Sequence, residues 1–178
     1  MRDNLVFNLE SWPEAGVSID FILSPPALLS AMKSGLWETE PQVEEAADLL
    51  VFKSSMRGHL DIQLASRVLK IKGAFSIKVQ VSCTRCLTPF VGRIRDNISE
   101  IVKLVDPGGD ANVKAAVDGD LIVTNNQFDL APLMAELFWL AWPTKPLCKP
   151  DCAGLCPSCG ANLNDGECSC RRDNVTKH

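Results

Sequence analysis

The sequence predicts an α+β fold: a curled, barrel-like antiparallel β-sheet covered by two helices, with a small cysteine-rich tail that binds zinc. Three observations predict it. Apolar residues recur with period two from about Leu50 to Leu104, helix-entry signals flank that region at Ser24-Pro-Pro26 and Asp129, and six of the eight cysteines lie from Cys148 onward. This divides the chain into a β-rich α+β domain over residues 1–145 and a metal-binding tail over 146–172, packed on the hairpin that carries Cys83 and Cys86.

Leu5-Val-Phe-Asn-Leu9 is short and apolar enough for an edge strand, and Val17-Ser-Ile-Asp-Phe-Ile-Leu23 alternates toward a second. Ser24 is placed to cap a helix over Ala27 to Lys33, with Pro25 and Pro26 tolerated in its first turn and Gly35 ending it. Glu38, Glu40, Glu44, Glu45 and Asp48 form an acidic surface loop.

From there the period is two. Leu50 and Phe52, then Leu60, Ile62 and Leu64, then Leu69, Ile71, Phe75, Ile77, Val79, Val81 and Cys83 each fall on one side of extended segments. Gly58-His59 and Ala65-Ser66-Arg67 supply turn chemistry, and Gly73 marks a bulge or bend inside the long strand. Phe90, Ile94, Ile98, Val102 and Leu104 alternate along the next strand, Pro107 to Gly119 is a loop, and Leu121-Ile-Val123 is one more strand. Asn125-Asn126 then turns into the second helix, capped by Asp129, with Leu130, Leu133, Met134, Leu137, Phe138 and Leu140 as its apolar stripe and Trp142-Pro143 at its end.

The cysteines read as metal ligands. A thiolate is soft and anionic, so four of them satisfy a divalent zinc tetrahedrally, and a two-residue gap lets neighbouring sulfurs reach one ion. Cys83-Thr-Arg-Cys86 and Cys156-Pro-Ser-Cys159 have that gap, and Gly160 can take the positive φ that turns backbone N–H groups toward the sulfurs. Eight thiols make two four-sulfur zinc sites. One division puts Cys156, Cys159, Cys168 and Cys170 on one ion and Cys83, Cys86, Cys148 and Cys152 on the other. Exchanging the two knuckles fits the spacings equally well, and Cys168-Ser-Cys170 is short for two ligands to one ion.

Other thiol chemistries fit less well. A disulfide framework needs secretion, and Asp3, Asn4, Asn8 and Glu10 interrupt any apolar leader, which points to a reducing cytoplasm. A redox dithiol sits where a strand opens a helix, whereas Cys86 leads into Leu87-Thr-Pro-Phe90, a turn and another strand. An iron–sulfur cluster uses the same thiolates, and sequence does not separate it from zinc. A zinc hydrolase is disfavoured because catalytic sites employ histidine or carboxylate ligands, and the only histidines are His59, at a strand turn, and His178.

The net charge of −4 argues against a nucleic-acid partner until its distribution is read. From Ile62 to Arg95 there is no Asp or Glu, while Arg67, Lys70, Lys72, Lys78, Arg85, Arg93 and Arg95 give that stretch +7, so the remainder carries −4 − 7 = −11. Strand alternation turns Lys70, Lys72 and Lys78 away from the apolar side, and Arg93 and Arg95 likewise, with Arg85 inside the knuckle between the two strands. A merely solvating face mixes signs; an acid-free face fits phosphate positioning on RNA. No stretch reaches a membrane span, since Leu130 to Trp142 is short and interrupted by Pro132 and Glu136.

Gly73 to Cys86 ending in Cys-Thr-Arg-Cys-Leu-Thr-Pro-Phe, Phe128-Asp-Leu before a helix with Glu136, and Cys152-Ala-Gly-Leu-Cys-Pro-Ser-Cys-Gly-Ala-Asn-Leu-Asn164 together resemble the YceD family, the large ribosomal RNA subunit accumulation proteins of bacteria and plastids. The likeness covers roughly residues 60 to 170. It implies a non-catalytic cytoplasmic factor in ribosome biogenesis, with large-subunit rRNA or a pre-ribosomal particle as partner and no small-molecule substrate. Zinc is not implied by the resemblance and rests on the cysteine spacing. The tail then braces the cationic hairpin or docks a ribosomal protein. The alternative is a zinc-stabilised adaptor that grips a basic assembly partner without touching RNA.

Overall fold

The structure is a computed structural model describing residues 3–34, 50–106, 120–168 and 170. The expected acidic loop from Glu38 to Asp48, the helix stop at Gly35, the loop from Pro107 to Gly119 and His178 lie outside the described residues. The chain forms two compact units. One takes the chain up to Val79 and again from Arg93 to Trp142; the other takes Gln80–Gly92 and the chain from Pro143 onward.

The first unit is mostly sheet with two helices. The order is β1 (Val6–Asn8), β2 (Val17–Leu23), α1 (Pro25–Ser34), β3 (Val51–Phe52), β4 (Met56–Ala65), β5 (Val68–Ser82), β6 (Pro89–Val105), β7 (Leu121–Ile122), β8 (Gln127–Asp129) and α2 (Ala131–Leu140). The strands β5 and β6 run on into the second unit. The main sheet is ordered β2-β4-β5-β6-β7, with β3 also on β5, while β1 and β8 form a separate pair. The sheet is therefore open, and the barrel-like expectation is corrected. Closing it would require β2 to pair with β7, and a two-residue strand has too few N–H and C=O groups to seal that seam. The β7 edge is also parallel to β6, with Leu104 opposite Leu121.

Alternation along β5 is as regular as the sequence reads: Leu69, Ile71, Phe75, Ile77, Val79 and Val81 are buried and the even positions between them mostly exposed. On β6, Ile94, Ile98, Val102 and Leu104 point inward. Each such large side chain contributes about 1.5–3 kcal/mol by leaving water. The β4–β5 turn is Ser66-Arg67, both at positive φ (50° and 63°), which matches the right-handed strand twist of a two-residue hairpin.

Two expected irregularities are regular. Gly58 and His59 lie inside β4, opposite Phe75 and Ala74, and the turn before that strand falls at residues 53–55, where Ser54 Oγ accepts from Lys78 N at 2.9 Å. Pairing with β4 passes through Gly73 with no extra residue, so there is no bulge on that side. Both glycines serve close approach instead. A Cβ at Gly73 would come within 2.0 Å of the His59 carbonyl oxygen, and one at Gly58 within 2.2 Å of the Ala74 oxygen and 2.6 Å of the Phe21 ring.

Ser24 begins α1 as expected, its Oγ accepting from Ala27 N at 3.4 Å and its carbonyl from Leu28 N. Asp129 Oδ1 accepts from Ala131 N at 2.8 Å at the start of α2. Leu130, Leu133, Met134, Leu137 and Phe138 are buried, and α1 packs against α2. Leu140 is 74% exposed and leaves the predicted stripe, because it sits where the helix ends. The sequence reading also passes over β8: Asn125 and Asn126, at φ 52° and 57°, turn the chain into a strand that pairs Phe128 with Phe7, their rings stacked at 5.5 Å under Trp12.

Gly58→Ala is expected to lower stability by about 1–3 kcal/mol, the usual cost of overpacking. The check is a lower urea midpoint with an unchanged m-value.

Candidate metal centres and a cationic groove

The second unit gathers all eight thiols into two clusters, Cys83, Cys86, Cys148 and Cys152 in one and Cys156, Cys159, Cys168 and Cys170 in the other, with the sulfurs of each within 4.8 Å of one another. Of the two divisions the spacing allows, this is the one that leaves the knuckles unexchanged. None of the eight cysteines is in a disulfide. Sulfurs about 2.3 Å from one tetrahedral ion stand about 3.8 Å apart. Cys83 and Cys152 lie at 3.7 Å and Cys86 and Cys148 at 3.6 Å, so the first cluster has the size to hold a single metal ion.

The turn between β5 and β6 builds half of that cluster. Cys83 N donates to Thr88 O, and Leu87 N reaches back to Cys83 O at 2.9 Å with Leu87 at φ 59°. The tail supplies the other half: Thr84 N and Oγ1 both donate to Pro146 O, and Arg85 Nη1 donates to Cys152 O at 3.0 Å. Cys83, Cys86 and Cys152 are buried, with Phe90, Leu147 and Leu155 packed around them.

The second cluster repeats the knuckle. Gly160 N donates to Cys156 O at 2.9 Å, and Gly160 sits at φ 73°, the conformation its position predicts. Cys168 and Cys170 both reach the cluster despite the single residue between them. Cys156 and Cys168 are buried and Cys159 is exposed.

Electrostatics in each cluster call for a cation. Burial pushes the Cys83 thiol up, but the backbone N–H groups of Cys148, Cys86 and Arg85 outweigh it and bring it to about 6. Backbone N–H groups of Cys159 and Ser158 take Cys156 to about 6 as well. Their neighbours go the other way: burial and then the adjoining sulfurs push Cys148 up to about 12, and the Cys159 sulfur and then burial push Cys170 to about 11. Cys86 is also lowered, by the side chain and backbone of Thr88, so each cluster favours some thiolate character while repelling full ionisation, the condition a bound divalent ion would relieve.

Cations of the first unit are arranged differently from the sequence expectation. Lys70, Lys72 and Lys78 are exposed on β5, but Lys72 pairs in register with Asp61 on β4, an acid just outside the acid-free stretch. Arg67 is engaged by Asp106 at 2.7 Å. Arg85 belongs to the second unit, tied to the Cys152 carbonyl. Arg93 and Arg95 join Arg57, which sequence reading passed over, in an open groove of about 760 Å³ also lined by His59, Ser76, Asp96 and Asn97. Among the described residues none of the three arginines has an ion-pair partner; the ion pairs there are His59 with Asp20, His59 with Asp61, and Arg67 with Asp106. Cross-strand neighbours decide this, and a count along the chain does not see them.

Comparison with known proteins adds the family. The model for the large ribosomal RNA subunit accumulation protein YceD matches residues 71–178. The chain belongs to the YceD family. Curated YceD-related proteins include the Zea mays large ribosomal RNA subunit accumulation protein YCED homolog 1, chloroplastic, 26% identical over 60% of this chain and 45% of its own length. The Mycobacterium tuberculosis (strain ATCC 25618 / H37Rv) uncharacterized protein Rv2926c is 29% identical over 58% of this chain and 49% of its own, and the Mycobacterium leprae uncharacterized protein ML1660 is 25% identical over 58% and 47%. The chain spans about half the length of the curated relatives it matches. No solved structure matches it. No described helix is long and apolar enough to cross a membrane. The YceD match takes in both cysteine clusters and the arginines of β6, while Arg57 and His59 lie before it.

His59 is no isolated turn histidine in this YceD-family chain. Its Nδ1 is 2.9 Å from Asp20 Oδ1 and its Nε2 3.2 Å from Asp61 Oδ1, to which Ser18 Oγ donates at 2.6 Å. Hydrogen bonds to Asp20 first and Asp61 second raise its pKa above 6.5. A raised folded-state pKa adds stability that is fully present below about 6.5 and is lost as pH rises through the folded value. His59→Gln should therefore flatten the decline in the urea midpoint above pH 6.5. A decline of the same slope in the variant would deny His59 this role.

Proposed function

We propose that this chain is a non-catalytic ribosome-assembly factor that binds large-subunit rRNA, or a precursor particle containing it, through the groove of Arg57, Arg93 and Arg95, with the exposed Lys70, Lys72 and Lys78 of β5 adding affinity. The observation that carries the reading is three arginines lining one groove with no described carboxylate bonded to them. Guanidinium is planar, weakly hydrated and permanently charged, so it grips phosphate oxygens in pairs, whereas lysine acts as a point charge. With few aromatic platforms beside the groove, the mode is phosphate positioning and shape, not base reading. The family's description and the maize relative's name supply the ribosomal direction.

The two clusters hold zinc. A polynuclear iron–sulfur cluster spreads its cysteines over several irons, whereas the sulfurs of each cluster lie within 4.8 Å of one another, two pairs of the first at 3.6 and 3.7 Å, a size that suits one ion. Four thiolates with no position left open make a structural site, not a hydrolytic one. Eight cysteines without a disulfide suit a reducing compartment such as the cytoplasm.

Replacing Arg57, Arg93 and Arg95 together by Gln should weaken binding to a large-subunit rRNA fragment and shallow the log-affinity against log-salt slope by about 2 to 3, one phosphate contact per arginine. Equal binding by this variant and by a Lys70, Lys72 and Lys78 to Gln variant would favour the protein-binding adaptor. Elemental analysis of reduced protein should find two zinc ions per chain, and chelation should expose the chain beyond Pro143 to protease. An unchanged digestion pattern would count against structural zinc.

A further inference from the structure

The turn between Cys159 and Cys168 belongs by ligand count to the second cluster, yet its side chains serve the first. Asn164 Nδ2 donates to Cys152 Sγ at 3.3 Å, while its Oδ1 accepts from Ala153 N at 3.0 Å. The backbone N–H fixes which end of the amide faces the sulfur. Asn162 holds Asn164 in place, its Oδ1 accepting from Asn164 N at 3.1 Å and Nδ2 at 2.8 Å. Asn162 Nδ2 also donates to Thr88 Oγ1 at 3.4 Å, and that hydroxyl oxygen lies 3.4 Å from Cys86 Sγ. Backbone bonds hold the turn to the strand-like segment before it: Leu155 bridges Asn162, and Leu163 N donates to Gly154 O at 2.9 Å.

We propose that the two metal sites are thermodynamically coupled, and that Asn164, held in place by Asn162, carries the coupling by presenting the second site's turn as hydrogen-bond donor to the Cys152 sulfur of the first. Residues 157–167 include no buried side chain, so nothing apolar holds this turn in shape. Backbone bonds set the turn's path, and its ends are fixed when Cys156, Cys159, Cys168 and Cys170 share an ion, which preorganises the two amides further. N–H donors spread a thiolate's charge and orient it, and losing such partners costs a metal site about 10–100-fold in affinity. Coupling of binding is reciprocal, so filling the first site tightens the second by the same factor.

The inference rests on metal binding at both clusters and is independent of RNA. The experiment titrates the full-length reduced protein with zinc against a chromogenic chelator and follows cobalt(II) thiolate absorption for ligand geometry. Disabling the second site with Cys156→Ser and Cys159→Ser should weaken the first by about 10–100-fold. Asn164→Ala keeps all eight ligands and should weaken the first site comparably, while making it insensitive to loss of the second. Asn164→Asp, which turns a carboxylate oxygen toward Cys152, should weaken it further. First-site affinity unchanged in these variants, or losses from the Asn164 and second-site changes that simply add, would overturn the coupling. Failure of the wild type to bind metal would overturn the metal reading instead.

Discussion

Four thiols cannot ionise side by side without a cation among them, and the second unit is built around that constraint. Backbone N–H groups stabilise thiolate character at Cys83, chiefly from Cys148 and then from its own turn, and at Cys156 from its own turn; Thr88 does so at Cys86, while the neighbouring Cys148 and Cys170 are pushed toward the neutral form. A divalent ion would convert this mutual repulsion into mutual attraction, and would join chain segments far apart in sequence such as Cys83 and Cys152, whose sulfurs already lie 3.7 Å apart. The two knuckles reach the same backbone geometry from different residues. Gly160 takes positive φ freely, whereas Leu87 is held at φ 59° with its side chain largely in solvent, at a conformational cost that a leucine does not accept without an outside constraint.

The first unit depends on a different constraint, the period-two alternation of long strands. Alternation puts Ile71, Phe75, Ile77 and Val79 inside and the lysines of β5 outside, and it leaves charge on the outer face to be settled by cross-strand neighbours. Asp61 stands across from Lys72, while Arg57 stands across from Ser76. Lys72 thus faces a carboxylate, whereas Arg57, Arg93 and Arg95 share their groove with His59 and Asp96 and have no ion-pair partner among the described residues, so the proposed phosphate contact falls to the groove and not to the whole face.

Much of this was legible in the sequence because it depends on local rules. β2 begins and ends where its alternation does, Ser24 and Asp129 accept hydrogen bonds at the helix starts, and the Cys156–Cys159 knuckle has the glycine it needs. What was not legible depends on partners distant in the chain. Gly58 looks like a turn residue until Phe21 and Ala74 are seen to leave no room for a Cβ, and Gly73 looks like a bulge until its partner strand is in register. Strand β8 is three residues long and has no periodicity to show; only pairing with β1 makes it a strand. The same holds for sheet closure, since the weakness of β7 as an edge is a property of length and register, not composition. The choice between two cysteine pairings likewise needed the fold, because both satisfied the spacing.

The contrast between the clusters has a structural consequence. Around the first, Phe90, Leu147 and Leu155 pack on Cys83, Cys86 and Cys152, so some apolar burial accompanies the thiols. Around the second, the buried side chains are Cys156 and Cys168 themselves, and the described segment from Pro157 to Glu167 is half-buried or exposed throughout. Ordering a residue costs about 1–2 kcal/mol of backbone entropy, which hydrogen bonds such as Leu163 N to Gly154 O offset only in part. Without an apolar core the segment is held by its backbone hydrogen bonds, by the asparagine contacts to the first cluster and, on the metal reading, by ligation at its two ends. A small module with so little apolar burial would need both ends of that network in place to hold its surface, and its form would then follow from thiolate chemistry more than from hydrophobic burial.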